Sequence, residues 1–510
     1  MKRRTFLNGI GAILAAPSII LQPCSARALS NDWGFPFGIA SGDPTHDSMV
    51  LWTRLASTTG DFSPVANQPV NVAWAIATDP HMRNTLQRGI GVAHPAFGHS
   101  VHINVQHLQP DQDYYYTFRC GMMQSPIGKT RTLPAPDSNI ARFRFNVVSC
   151  QNWEQGWFSA YDGMVEDNPA FVLHLGDYIY EISRGNGVRQ HETRQTPRTL
   201  ADYRARHALY KTDPSLQQAH ARYPFVLTLD NHDALYDNTS DPAELKRRAA
   251  AYQAWYEFQP VRFAPQLDSA AMQIRRSIDI GRLLRLNIPD TRQFRDTETP
   301  CANSSDPTFA FGVYERNCAA VNDPRRSMLG AEQEAWLSRR LQHSEATWNI
   351  IATTVKMTPF DMQHHGELYR YLQSWDGYPA ERNRLLDRIV EAGTHNPVSL
   401  SGDIHSFLVS RVVRNVGDHP RNAPMTELVG TSISSLWPEP LAAPMRNALS
   451  DNPHVNYFDS EKRGYLRCTF TPDECLADLR TISSALQPSG LVGTSARFVI
   501  HNGLTGAERI

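Results

Sequence analysis

The sequence predicts an α/β protein: a core of two stacked sheets flanked by helices, preceded by a smaller all-β unit. Three observations carry this. Short apolar runs at 143–148, 171–175, 225–229, 283–288 and 398–400 each end in a cluster of polar residues, as buried parallel strands do where they feed loops. Helical spacing appears between such runs, most plainly at 379–392, where Leu385, Leu386, Ile389 and Val390 recur at helical intervals. Before residue 138 the apolar residues alternate instead, as in Val70-Asn71-Val72-Ala73-Trp74-Ala75-Ile76.

Taken in order, residues 1–28 read as an export signal. Arg3-Arg4 precede Phe6-Leu7, an apolar stretch runs from Ile10 to Leu21, and Ala26-Arg27-Ala28 offers a small-x-small cleavage site. The paired arginines point to the twin-arginine translocation machinery as a partner, with an ordinary secretory signal as the alternative. The expected location is periplasmic or extracellular. Residues 31–137 form the β unit, with strands at 49–52, 70–76, 99–105 and 114–118. Leu108-Gln109-Pro110 ahead of Tyr114 and Tyr116 resembles the tyrosine corner of immunoglobulin-like sandwiches. A small sandwich is therefore expected, with extra strands on the main domain as the alternative.

A proline-rich linker at 132–138 opens onto the main domain, 138–510. Strands at 143–148 and 171–175 with a helix over 157–166 make a strand–helix–strand unit. Residues 348–355 read as another buried strand, and strands at 467–470 and 496–500 are assigned to a second sheet. The Arg-, His- and Tyr-rich stretch 181–218 is expected to form a lid.

A length of 510 residues calls for two or more structural units, and 41% hydrophobic with 20% charged residues is ordinary for a globular protein. A net charge of −1 gives no basis for nucleic-acid binding or for attraction to anionic membranes. No apolar run after the N-terminus is long enough to make a transmembrane segment in the mature protein. Of the cysteines beyond the signal, Cys301 and Cys318 are the first candidate disulfide, and Cys468 with Cys475 a weaker one.

Five stretches share one chemistry: Ser149-Cys150-Gln151, Gly176-Asp177-Tyr178-Ile179-Tyr180, Asp230-Asn231-His232-Asp233, Asp290-Thr291-Arg292 and Ser401-Gly402-Asp403-Ile404-His405. Ligands in open α/β sheets gather at the carboxyl ends of strands. Asp177 is the natural bridging ligand, since a carboxylate can hold two cations roughly 3.5–4 Å apart. The Tyr180 phenol, with an ordinary pKa of about 10, suits only a strongly acidic ion such as Fe3+. Cys150 adds a thiolate for a transition metal, and His405 an imidazole for the same ion. Asn231 and Asp403 are hard oxygen donors suited to Ca2+, Mg2+ or Mn2+. Singly, each has a structural reading: a turn at Gly176-Asp177, a packed phenol, a buried small hydrophobe at Cys150, an Asx turn at Asn231. Their joint occurrence at strand ends predicts a metal site.

These motifs, with Gly38-Ile39-Ala40-Ser41-Gly42-Asp43-Pro44 and Val50-Leu51-Trp52-Thr53-Arg54, resemble the PhoD-like alkaline phosphatases. Those enzymes are calcineurin-like metallophosphoesterases related to the purple acid phosphatases. The resemblance runs from about residue 31 to the C-terminus. It implies an N-terminal β-sandwich, a metallophosphoesterase core, and one Fe3+ with one or two Ca2+ as cofactors, Mn2+, Mg2+ or Zn2+ being substitutes. Cys150, Asp177 and Tyr180 match iron ligands, Asn231 and Asp403 match ligands of the second metal, and His405 matches an iron-binding position of the purple acid phosphatases. One departure stands out. The family usually carries Asp-Asp-His-Glu where this chain has Asp230-Asn231-His232-Asp233, so an amide replaces a carboxylate.

The expected reaction is hydrolysis of a small-molecule or lipid phosphate ester by a metal-bound hydroxide or oxo nucleophile. Arg292 is assigned to grip a phosphoryl oxygen and His232 to protonate the leaving group. Asp290 either orients Arg292 or binds metal. Phosphodiesterase or phospholipase D-type activity is the rival within this class. A silent metal-binding homologue is a second, though every principal position is filled. A zinc hydrolase is a third, against which stands the lack of a His-Glu-x-x-His motif. The Asn452 and His454 segment resembles a late family motif and is expected to make contact behind the site.

Overall fold

The central strands are apolar on both faces, so each face needs a cover. The chain supplies it by stacking two sheets and lining their outer sides with helices. The computed structural model describes residues 33–58, 67–234, 239–296, 314–315, 319–364, 367–437 and 439–510. The expected export signal and the Cys301–Cys318 pair lie outside these residues.

Among the described residues the larger sheet has ten strands, in the order Glu508–Arg509, Val492–His501, Glu474–Ile482, Gly464–Phe470, Phe143–Val148, Val172–His174, Pro224–Leu227, Ile39–Gly42, Met49–Arg54 and Ser100–Val105. The second has seven: Arg276–Ile280, Leu284–Ile288, Trp348–Ala352, Pro397–Ser401, Met425–Val429, Phe407–Val412 and Val455–Asp459. Four central strands of each sheet run parallel. Phe145, Val147, Leu173 and Val226 of the larger sheet meet Leu286, Ile350, Leu400 and Leu428 of the second in one buried cluster. Leu200–Tyr210, Pro214–Arg222 and Pro242–Phe258 cover the outer side of the larger sheet. Gly330–Gln342 and Pro379–Ala392 cover that of the second. The last helix has the bounds its periodicity predicts. Proline occupies its first turn, and Gly393 at φ 60° stops it in a left-handed cap.

The β unit is a sandwich that borrows one layer. Its five-stranded sheet (Gly128–Arg131, Asp113–Cys120, Val70–Ala77, Thr85–Ala93 and Met123–Gln124) packs on Ile39–Gly42, Met49–Arg54 and Ser100–Val105, the terminal strands of the larger core sheet. The tyrosine corner is present: Gln109 N donates to the Tyr114 hydroxyl at 2.8 Å, and that hydroxyl donates to Gln109 O at 3.3 Å.

Three expectations are corrected. The strands expected at 467–470 and 496–500 belong to the first sheet, not the second. Gly464–Phe470 pairs antiparallel with Phe143–Val148, and Arg467 is held there by an ion pair to Asp167. The helix expected over 157–166 is a 3-10 turn, Ser159–Gly163, followed by the short helix Met164–Asp167. Gly163 packs so tightly on Val492 that a Cβ there would meet it at 2.7 Å. Cys468 and Cys475 are buried and free, because they are not opposite one another: Cys468 faces Ala477 and Cys475 faces Phe470. No helix among the described residues is long and apolar enough to cross a membrane.

Candidate active site

The parallel strands of both sheets run out on the same side, and there the backbone is strained. Cys150 (φ 59°), Asp177 (φ 55°), Asp403 (φ 66°) and His405 (φ 47°) are all left-handed. That conformation is uncommon outside glycine, and such strain clusters at functional sites. Gly176, at φ 93°, lies so close to Asp230 that a Cβ would come 2.5 Å from its backbone nitrogen.

The strain is held by hydrogen bonds between the loops. Cys150 N donates to Gly176 O and Gln151 N to Asp177 O, each at 3.1 Å. Beneath them Asp233, fully buried, accepts four backbone N–H groups. Its Oδ2 takes Asp177 N at 2.7 Å and Asp230 N at 3.0 Å, and its Oδ1 takes Tyr178 N at 2.8 Å and Ile179 N at 3.1 Å. One carboxylate thus ties two of the five stretches together.

On this frame the Cys150, Asp177 and His405 donor atoms lie within 4.8 Å of one another. The Tyr180 hydroxyl joins them, 3.0 Å from Asp177 Oδ2 and 3.0 Å from His405 Nε2, and accepts from Ser435 Oγ at 2.8 Å. His405 Nδ1 donates to Leu436 O at 3.0 Å, which leaves Nε2 as the nitrogen with a lone pair facing the cluster. Arg463 lies behind, donating to His405 O, Ser432 Oγ and Ser460 O.

A second group sits beside the first. The Arg292 guanidinium donates to Asp230 Oδ1, to Asn231 Oδ1 at 3.1 Å and to Asp403 Oδ1 at 3.3 Å. Asp230 Oδ2, Asp403 Oδ2 and Arg292 Nη1 are buried without a partner. Asp290 takes the orienting role: its Oδ1 accepts Arg292 N at 2.9 Å and Gln293 N at 3.0 Å, which fixes the turn that aims Arg292. His232 N donates to Asp177 Oδ1 at 3.2 Å, its Nδ1 lies 2.6 Å from Glu181 Oε2, and its ring stacks on Tyr180 with centroids 4.2 Å apart.

Burial pushes the Cys150 thiol and the Tyr180 phenol up, and neighbouring Asp177 pushes both further. Burial raises Asp177 to about 6 against the pull of His232, and burial with Asp230 raises Asp403 to about 7. His405 is lowered by burial to about 3, so its ring is neutral. For His232 burial also opposes the cation, but Glu181 and then Asp177 outweigh it and hold the imidazole at about 10.

All eight predicted site residues (Cys150, Asp177, Tyr180, Asn231, His232, Arg292, Asp403 and His405) therefore meet at one end of the core. Asn452 and His454 do not. Asn452 Oδ1 accepts Asp361 N at 2.9 Å and His454 Nε2 is 2.8 Å from Pro359 O, so both brace a loop instead. The expected lid, 181–218, is a packed wall. Arg189 lies on the Trp153 ring at 3.6 Å and pairs with Asp213 at 2.7 Å, and Arg206 donates to the carbonyls of Tyr180 and Glu181. Sequence reasoning missed the roles of Asp233 and Asp230, although both stand in a quoted stretch. It missed Ser435 and Arg463 altogether, and nothing local marks them.

Residues 145–479 match the family described as PhoD-like phosphatase, and residues 22–134 match the PhoD-like phosphatase N-terminal domain. The chain is 37% identical over 530 residues to alkaline phosphatase D of Bacillus subtilis (strain 168), covering 100% of this chain and 89% of that protein. A solved structure described as the structure of PhoD matches with a TM-score of 0.86 at 36% identity, covering 94% of this chain and 93% of that one. The chain belongs to the PhoD-like phosphatase family. The resemblance read from its motifs and the α/β core with an N-terminal β unit are borne out.

Proposed function

We propose that this chain is an exported, metal-dependent phosphoric ester hydrolase, an alkaline phosphatase. The convergence of Cys150, Asp177 and His405 donors within 4.8 Å carries the reading. The donor set fits cations. Two carboxylate oxygens, on Asp230 and Asp403, are buried without a partner. A thiol, a phenol and two carboxyls are all pushed toward their protonated forms by burial, a penalty that a bound cation reverses. Cys150, Asp177, Tyr180 and His405 would hold Fe3+. Asp177, Asn231 and Asp403, joined by Asp230, would hold one or two Ca2+, or Mn2+, Mg2+ or Zn2+ in their place. Such ions supply positive charge to the phosphoryl oxygens and acidify water. Export is supported by Arg3-Arg4 and the Ala26-Arg27-Ala28 site.

The chain's own groups divide the remaining work. Arg292 has one donor, Nη1, without a partner, available to a phosphoryl oxygen, while its other donors are fixed by Asp230, Asn231 and Asp403. His232 is anchored through Nδ1 by Glu181 and kept cationic into alkaline pH, so Nε2 delivers a proton to the leaving oxygen. A second reading, hydrolysis of diesters with an apolar arm, is favoured by Leu436. The residue is 47% exposed, and its own carbonyl accepts from His405.

Turnover of nitrophenyl phosphate and bis-nitrophenyl phosphate, side by side at alkaline pH with Ca2+, tests the proposal. Hydrolysis of neither by iron-loaded protein rejects it, and the ratio selects phosphatase or diesterase. Tyr180→Phe is expected to lose the visible iron–phenolate band and most of its activity; a retained band removes Tyr180 from the iron. Glu181→Gln is expected to bring the alkaline limb of the kcat profile down by about 1–3 pH units, because the main support of the His232 cation is gone. An unmoved limb excludes His232 as the proton donor.

A further inference from the structure

At the opposite ends of the same strands, roughly 20 Å away at about 3.3 Å per residue, lies a cleft of about 280 Å³ that the hydrolytic chemistry leaves unused. Lys129 and Arg131 enter it from the N-terminal sheet, Arg142 and Arg144 from the start of Phe143–Val148, and Arg222 from the end of Pro214–Arg222. The carboxylates that line it, Asp111 and Asp113, are already engaged. Asp113 pairs with Lys129 and with Arg131, each at 2.9 Å, and Asp111 pairs with Arg131 at 2.6 Å.

Among the described residues the other three arginines, Arg142, Arg144 and Arg222, lack a carboxylate partner and form no ion pair, although Arg222 is hydrogen-bonded to Tyr223. Arg144 donates to Thr469 Oγ1 at 3.1 Å and to Asp167 O at 3.0 Å, both neutral. Burial pushes Arg144 below the usual arginine range, and Arg142 and Arg467 add to it against the pull of Asp167 and Asp478. The whole chain has a net charge of −1, so this excess is local. Clefts of one sign concentrate the opposite ion, and guanidinium forks match phosphate oxygens two at a time.

We propose that this cleft is a second anion site, taking a phosphate-type oxyanion as free inorganic phosphate or as a lipid headgroup phosphate. Bound there, the anion ties the N-terminal sheet to the core strands, because its arginine and lysine partners come from both. None of the cleft residues belongs to the candidate active site, so this inference stands apart from the proposed hydrolysis.

The test uses Arg142→Glu with Arg222→Glu, both exposed at the cleft. Inorganic phosphate is titrated calorimetrically into full-length protein at constant ionic strength set with chloride. Wild type is expected to show one binding event more than the double variant, or one weakened at least about tenfold in it, with nitrophenyl phosphate hydrolysis unchanged. Cosedimentation with phosphatidylglycerol vesicles, against phosphatidylcholine, gives the headgroup arm. Loss in the phosphate arm assigns free anion and loss in the vesicle arm assigns headgroup. Phosphate and vesicle binding unchanged from wild type overturns the proposal, as does equal displacement by added chloride. Arg142→Gln with Arg222→Gln should show the same loss to a smaller degree, and an unchanged melting temperature without phosphate separates lost binding from lost folding. If the hydrolytic reading fails, wild type keeps the event that the variant lacks.

Discussion

Asp177→Asn is expected to lower kcat by at least about 1000-fold while the protein stays folded. Asp177 stands where both groups of the site meet. Its Oδ2 is 3.0 Å from the Tyr180 hydroxyl, its Oδ1 accepts His232 N at 3.2 Å, and its backbone is left-handed. Asparagine tolerates that backbone, so the loop survives. The change removes the charge that two cations would share, and turns an NH2 toward either the His232 N–H or the phenol. Stability follows the opposite course. Burial raises the Asp177 carboxyl to about 6, so in the metal-free protein the folded state binds the proton more tightly than the unfolded one. Its contribution to stability therefore declines as pH rises from the ordinary carboxylate range through about 6. Above that window metal-free Asp177→Asn should melt no lower than metal-free wild type. Turnover numbers, bound iron and calcium, and melting curves of both proteins check this. Near-normal activity would reject Asp177 as the shared ligand.

Strand ends were legible because two local signals coincide there: an apolar run too short for a helix, and a polar cluster that stops it. That is why 143–148, 225–229 and 398–400 led directly to Cys150, Asn231 and Asp403. The helix Pro379–Ala392 was legible for a similar reason, its proline start and glycine stop bracketing the periodic face. What alternation cannot encode is the partner of a strand. Gly464–Phe470 and Val492–His501 read well as strands, but the choice of Phe143–Val148 as neighbour of Gly464–Phe470 rests on register and on Arg467 reaching Asp167, contacts three hundred residues or more apart, and Val492–His501 follows through Glu474–Ile482. Ser435 and Arg463 were invisible for the same reason. Arg463 directly precedes Gly464–Phe470, and Ser435 reaches the cluster from the loop after Met425–Val429, whose backbone bonds to Ser149 and Cys150 across the two sheets. Arg292 shows the intermediate case: its motif marked it, but its engagement with Asp230, Asn231 and Asp403 appears only in three dimensions. The amide at Asn231 keeps an oxygen for Arg292 while carrying no charge of its own, so the departure from the family's usual Asp-Asp-His-Glu leaves that contact in place.

Asp233→Ala should be the most damaging change to the frame. The side chain touches no expected ligand atom, yet four backbone N–H groups from Asp177, Tyr178, Ile179 and Asp230 end on it. An orphaned buried donor costs about 1–3 kcal/mol, and partial relaxation toward water keeps four of them from adding in full. A loss of about 3–5 kcal/mol is expected for the four donors taken together. The released loops carry Asp177, Tyr180 and Asn231, so activity should fall even at temperatures where the variant is folded. Asp233→Asn separates the two effects. It keeps the shape and one accepting oxygen, so two of the four N–H groups stay satisfied while the other two face an NH2. Its stability should fall between wild type and Asp233→Ala, and metal affinity should fall with it, since loosening a group that orients ligands costs about 10–100-fold. Denaturant midpoints and metal titrations of the two variants decide the matter. If Asp233→Ala unfolds at the wild-type midpoint and binds metal normally, the left-handed loops hold themselves, and the strain at Cys150 and Asp177 is set by the inter-loop backbone bonds alone.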